Sequence, residues 1–204
     1  MTRFALLATA ATSALLVFAP ISQAQDAMWD QFYAGVYADY SAVDSKWTPG
    51  NSYVFNVDGF SGGVMLGADR QFNTLVVGLE LDAGFGSLND TAQPDNWKVD
   101  MGGVNLAARA RAGLALDNVL LYGTAGIAMV PMHVKYDSSP NVVDDNDVGF
   151  QGGIGMEYAV SDEWHVRGEY LHTELGKSEP FSVAPAISMD TRFDTFRVAV
   201  SHTF

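Results

Sequence analysis

The chain has 204 residues, with 11 Lys and Arg against 24 Asp and Glu, and no cysteine. Its formal net charge of −13 repels nucleic acid and excludes that class of partner. The missing thiols exclude a disulfide framework, a thiol nucleophile and a lipid-modified N-terminal cysteine.

The first 24 residues carry one basic residue, Arg3, then an Ala- and Leu-rich run from Ala5 to Ala19, then Ser22-Gln23-Ala24. Small residues stand at the two positions a signal peptidase reads, so a signal peptide is predicted over 1–24. The apolar run is short of the roughly 20 residues a membrane-spanning helix needs. The remaining domain, 25–204, keeps 10 basic residues against 24 acidic ones.

Eight strands are predicted in chain order: 31–41, 60–71, 75–86, 99–115, 119–133, 148–160, 164–175 and 191–204. Each is close to or above the roughly 9–11 residues that a tilted strand needs to cross a bilayer. Twenty glycines and regular turn signals agree with an all-β chain rather than a soluble α/β enzyme. Three connections are short: Phe72-Asn73-Thr74, Leu116-Asp117-Asn118 and Ser161-Asp162-Glu163. Four are long: 42–59, 87–98, 134–147 and 176–190. Short periplasmic turns alternating with long external loops are the signature of an outer-membrane barrel. The predicted fold is therefore all-β, an antiparallel up-and-down transmembrane barrel of eight strands with both termini in the periplasm.

Proline cannot donate to a sheet ladder, and Pro49, Pro94, Pro140, Pro180 and Pro185 all fall in the long connections. Pro131 falls on predicted strand five and is expected to mark a bulge or the strand's end. The four lysines, Lys46, Lys98, Lys135 and Lys177, lie in or beside the long connections.

Period-two alternation separates the two faces. On strand eight, Phe196, Val198, Val200, His202 and Phe204 share the lipid face, and Thr195, Arg197, Ala199, Ser201 and Thr203 face inward. Strand three sends Leu75, Val77, Leu79, Leu81, Ala83 and Phe85 outward, with Glu80 and Asp82 inward. The same reading puts Arg109 and Arg111 (strand four), Glu157 (strand six), and Arg167 and Glu169 (strand seven) inside. Two aromatic girdles are predicted. The periplasmic one is Phe32, Phe72, Tyr122, Tyr158, Trp164 and Phe204. The outer one is Tyr40, Phe60, Phe85, Phe150 and Tyr170.

The inward charges form the candidate site: Glu80, Asp82, Glu157 and Glu169 against Arg109, Arg111, Arg167 and Arg197. An eight-stranded barrel is about wide enough to be filled by its own side chains, so a salt-bridged plug is expected. The competing reading is a narrow pore lined by the same charges. No catalytic, cofactor or metal site is assigned. His133, His165, His172 and His202 lack metal-ligand spacing. Ser201 and Thr203, the neighbours of His202, point to the opposite face. Asp144-Asp145-Asn146-Asp147 is read as a solvated acidic loop, with divalent-cation binding as the alternative.

Several segments carry a family resemblance: Trp29-Asp30-Gln31-Phe32-Tyr33-Ala34-Gly35, Ala108-Arg109-Ala110-Arg111-Ala112-Gly113-Leu114, Leu121-Tyr122-Gly123-Thr124-Ala125-Gly126, Gly152 to Val160, and Trp164 to Leu171. With Phe204 they resemble small porin-family outer-membrane proteins that have an OmpA-like or OmpX-like barrel, including surface antigens of Gram-negative bacteria. The resemblance implies a structural role in envelope integrity and surface display. A narrow porin for small solutes, or an adhesin acting through its loops, are the alternatives. It also implies outer-membrane lipids and lipopolysaccharide as surroundings. Barrel-assembly machinery and periplasmic chaperones are the implied partners in biogenesis, the machinery reading a C-terminal signal formed by Phe196, Val198, Val200 and Phe204. No cofactor is expected, and no peptidoglycan-binding domain is expected after Phe204.

Overall fold

The computed structural model describes residues 28–48, 54–92, 97–136, 142–175 and 188–204. The predicted leader, Lys177 and the five loop prolines lie outside these residues. Eight antiparallel strands close into one barrel in sequence order. They are β1 (Gln31–Thr48), β2 (Val54–Phe72), β3 (Leu75–Ala92), β4 (Trp97–Leu116), β5 (Val119–Tyr136), β6 (Val142–Ala159), β7 (Trp164–Leu175) and β8 (Ser188–Thr203). Closure is made by β1 against β8, from Tyr33↔Thr203 to Thr48↔Ser188.

Register fixes the barrel's shape. Paired residues run from Gln31 through Asp69, Gly78, Arg111, Thr124, Gly153, Leu171 and Thr195, and return to β1 at Ser41, ten residues on. With ordinary strand spacings, that stagger over eight strands tilts them by about 40° and gives a backbone radius of about 8 Å.

The three predicted short connections are tight turns. Asn73 and Asp117 open two of them with φ of 57° and 52°, the left-handed region that Asn and Asp tolerate. In the third, the Ser161 hydroxyl accepts the Glu163 and Trp164 amides at 3.3 and 3.1 Å.

At the opposite end the strands run further than their alternation suggested. β1 and β2 continue to Thr48 and from Val54, where 42–59 reads as loop, and β6 begins at Val142. The backbone ladder continues there although the sequence loses its period-two signal. Four predicted loop features therefore lie on strands. Lys46, Lys98 and Lys135 are on β1, β4 and β5, and Asp144-Asp145-Asn146-Asp147 is on β6, paired with 130–133 of β5. Pro131 stands where the β4–β5 ladder breaks. Pairing stops at Leu106↔Met129 and resumes at Asp100↔His133, so five residues of β4 oppose three of β5. A bulge is where a strand can hold a proline.

The outward face carries the girdles. Phe60, Tyr40, Phe196 and Tyr170 form one row across β2, β1, β8 and β7. Tyr40 stacks on Phe60 at 5.1 Å and Tyr170 on Phe196 at 5.2 Å. Tyr40 and Tyr170 donate their phenolic hydroxyls to Asp58 and Asp194, at 3.0 and 2.6 Å. Phe32, Phe72, Tyr158, Trp164 and Phe204 are exposed at the other end. The eight residue steps from Phe32 to Tyr40, at that tilt, span about 20 Å of depth, close to the apolar band of such barrels. Tyr122 departs from the predicted girdle. It points inward and is 5% exposed.

Candidate functional site in the barrel lumen

Inward positions on seven strands meet on the barrel axis. All eight charged residues read from the sequence are buried there: Glu80, Asp82, Arg109, Arg111, Glu157, Arg167, Glu169 and Arg197. Two further carboxylates, Asp39 on β1 and Asp69 on β2, are buried with them. With Asp147 of β6, which was expected in a solvated acidic loop but is buried on the inward face, the described lumen holds seven carboxylates, six of them interleaved with the four guanidinium groups.

Each arginine bridges strands. Arg109 reaches Glu80, Asp82 (3.0 Å) and Glu169 (3.4 Å). Arg111 grips Asp69 with two nitrogens, Nε to Oδ1 at 2.8 Å and Nη2 to Oδ2, and reaches Glu157 with Nη1 at 2.8 Å. Arg167 donates to Glu80 at 2.6 Å and lies 3.5 Å from Glu157. Arg197 takes both oxygens of Asp39, at 2.8 and 2.9 Å, and Asp82 at 3.1 Å. The planar five-donor fork suits arginine to this shared binding, where lysine would offer one point charge.

Three tyrosines complete the packing. Tyr33 donates to Glu80 at 2.6 Å and Tyr122 to Glu169 at 2.8 Å. The Arg111 guanidinium lies 5.0 Å from each of these two rings, and that of Arg197 lies 3.5 Å from the Tyr37 ring. Cations over ring faces gain further stabilisation when desolvated. Each tyrosine stands opposite an inward glycine: Tyr33↔Gly67, Tyr37↔Gly63 and Tyr122↔Gly155. A Cβ at any of these glycines would collide with the ring.

The turn end of the lumen is sealed by apolar groups. Trp29, which the sequence motif placed at the opening of strand one, precedes β1 and folds back into the mouth, 1% exposed. It packs with Val76, Ala115, Leu120, Tyr122 and Ala159. Its backbone amide donates to the Gln71 side-chain oxygen Oε1 at 3.0 Å and its indole N–H to the Asp117 backbone carbonyl at 3.3 Å. His165 lies between this seal and the ions. Its ring is 4.9 Å from Trp29, and Nδ1 is 3.0 Å from Glu157 Oε1.

The remaining histidines with described side chains face outward. His172 is 2.8 Å from Asp194 at the end opposite the tight turns, and His202 packs edge-on against Trp164 at 5.0 Å. Ser201 is buried on the lumen side, away from His202. Phe196, Val198, Val200 and Phe204 are exposed on one face of β8.

Asp39 and Asp69 were open to sequence reading. Phe32, Val36 and Tyr40 set the phase of β1 and place Gln31, Tyr33, Tyr37 and Asp39 inside. Val64 and Leu66 do the same for Asp69 on β2. The glycines of β2 thin out the apolar alternation and hide that phase. No pattern announces the seal, because Trp29 lies outside the strand.

Comparison with known proteins agrees with this architecture. The 31 kDa outer-membrane immunogenic protein of Brucella melitensis biotype 1 is 32% identical over 154 residues, covering 70% of this chain and 60% of that protein. The chain thus spans about three fifths of that relative's length. The 25 kDa outer-membrane immunogenic protein of the same organism is 28% identical over 189 residues, covering 91% and 84%. Among solved structures, Neisserial surface protein A shares the fold with a TM-score of 0.54 at 19% identity, over 85% of this chain and 97% of that one. The family model described as "Outer membrane protein beta-barrel domain" matches residues 11–204, and the chain belongs to that family.

Proposed function

We propose that this outer-membrane barrel is a structural, non-enzymatic protein, closed by its own lumen charges, that supports the envelope and displays its outer hairpins. The observation that carries the reading is the interleaving of four arginines and six carboxylates across the barrel axis, each arginine tied to at least two acids. An open path would require several of these contacts to break together. Freeing one buried charge from its partner costs about 3–5 kcal/mol. The Trp29 seal adds an apolar barrier below them.

Both termini lie in the periplasm on this reading, because the three tight turns stand at the same end as Gln31 and Thr203. Lipopolysaccharide surrounds the outer girdle, and the outward face of β8, with Phe196, Val198, Val200 and Phe204, is what the assembly machinery engages. The surface role fits relatives named as immunogenic proteins. Vesicle swelling tests closure. Vesicles holding folded protein should swell no faster in arabinose than empty ones. Faster swelling would favour the porin reading.

A further inference from the structure

Beyond the ion network, toward the end opposite the tight turns, the lumen holds a cavity of about 90 Å³. At about 10–15 Å³ for each water, it has room for about six to nine of them, the water that one pyranose sugar displaces. Its floor is the Asp39–Arg197–Asp82 bridge. Both oxygens of Asp39 and both of Asp82 already accept from Arg197 or Arg109. The charges beneath the cavity are spent on one another.

The side wall is different. Gln151 of β6, Thr173 of β7, Thr195 of β8 and Ser41 of β1 line it. Gln151 donates Nε2–H to the Thr173 hydroxyl at 2.9 Å, while its Oε1 is buried with no partner among the described residues. A buried amide oxygen is ordinarily hydrogen-bonded. Thr173, accepting from Gln151, keeps its own hydroxyl proton to give. Ser41 and Thr195 share one hydrogen bond of 2.8 Å, which leaves one of their two hydroxyl protons over. Among the described residues the cavity therefore presents one carbonyl acceptor and two hydroxyl donors, all uncharged. Ala107 of β4 and Ala128 and Val130 of β5 add an apolar wall, and Phe193 of β8 lines the cavity two residues outward from Thr195.

We propose that this cavity binds one small neutral polyol, a monosaccharide of pyranose size. An anion would meet Asp39 and Asp82 and a cation would meet Arg197, with no counter-charge left to offset its lost water. A sugar's hydroxyls match the unspent groups of Gln151, Thr173 and the Ser41–Thr195 pair, and its C–H face matches the apolar wall. Because the floor is closed, the site captures its solute without passing it on. The inference rests on the closed-lumen reading only through that floor.

Saturation-transfer NMR on the refolded barrel in detergent micelles tests the site. The probes are arabinose, methyl α-glucopyranoside and methyl α-galactopyranoside, with glucosamine and glucuronate as charged controls. At least one neutral sugar should give saturable transfer, half-saturating at about 1–10 mM, and the charged sugars should bind about tenfold more weakly or worse. Thr173→Val, nearly isosteric, and Gln151→Met should each weaken binding about tenfold. The heat-modifiable band shows that each variant folds, and Thr195→Val serves in place of one that does not. No saturable transfer from any of the three neutral sugars would leave the cavity to water and overturn the proposal. Binding unchanged by both substitutions would overturn it too, as would glucosamine or glucuronate binding as tightly as the neutral sugars. Faster vesicle swelling in the sugar that binds would instead overturn the closed lumen, with Gln151-dependent binding still in place.

Discussion

Tyr33 and Gly67 face each other across the β1–β2 ladder, and the tyrosine ring lies where a Cβ on residue 67 would be. From there the ring reaches Glu80 with its hydroxyl and covers Arg111 with its face. The glycine is thus required by close approach. Gly67→Ala is expected to displace the ring and cost about 1–3 kcal/mol, the range for overpacking. Urea unfolding in lipid vesicles, followed by heat-modifiable gel mobility, measures it. A midpoint equal to wild type would refute this packing role.

Arg109 is the single cation touching Glu80, Asp82 and Glu169 together among the described residues. Arg109→Met removes that charge and leaves three buried carboxylates undercompensated. The expected loss is about 3–5 kcal/mol, with partial recovery when Asp82→Asn is added. The same unfolding assay reads both variants. An additive double mutant would show that the two residues are not coupled.

Trp29 should behave as core, although it precedes the first strand. Trp29→Ala is expected to lower stability by about 3–5 kcal/mol, the range for removing a buried aromatic. It should also speed hydrogen exchange at Leu120 and Ala159, its neighbours in the seal. Unchanged exchange at those amides would mean that the seal is not closed by Trp29.

Leu81 is 61% exposed on the outward face, beside inward Glu80 and Asp82. If that face meets lipid, Leu81→Arg should cost about 2–4 kcal/mol, the range for arginine near the bilayer midplane. Free-energy measurement in phosphatidylcholine vesicles decides it. A neutral result would contradict the assignment of faces.

Much of this architecture was legible where lipid lies on one side and the lumen on the other. β3 and β8 alternate strictly, because each residue between the girdles must suit one medium or the other. That contrast gave the strand count, the faces and eight of the eleven acidic and arginine residues buried in the described lumen. It disappears beyond the outer girdle, so β1 reads as ending near Ser41 while the ladder runs to Thr48. Asp39 needed the phase of β1, and Asp69 that of the glycine-rich β2. Tyr122 was assigned to a girdle by its place near a turn, whereas the alternation of Leu121 and Gly123 outward puts it inside. Trp29 acts through a contact with distant Asp117 that no local pattern encodes.

Single-channel recording of the refolded barrel in a planar bilayer tests the central claim most directly. Folded protein, verified by its heat-modifiable band, should show no unitary steps, and Arg109→Ala should begin to produce them by loosening the plug. Reproducible steps from the wild-type barrel would contradict the closed lumen and make the charged residues on its axis the lining of a pore.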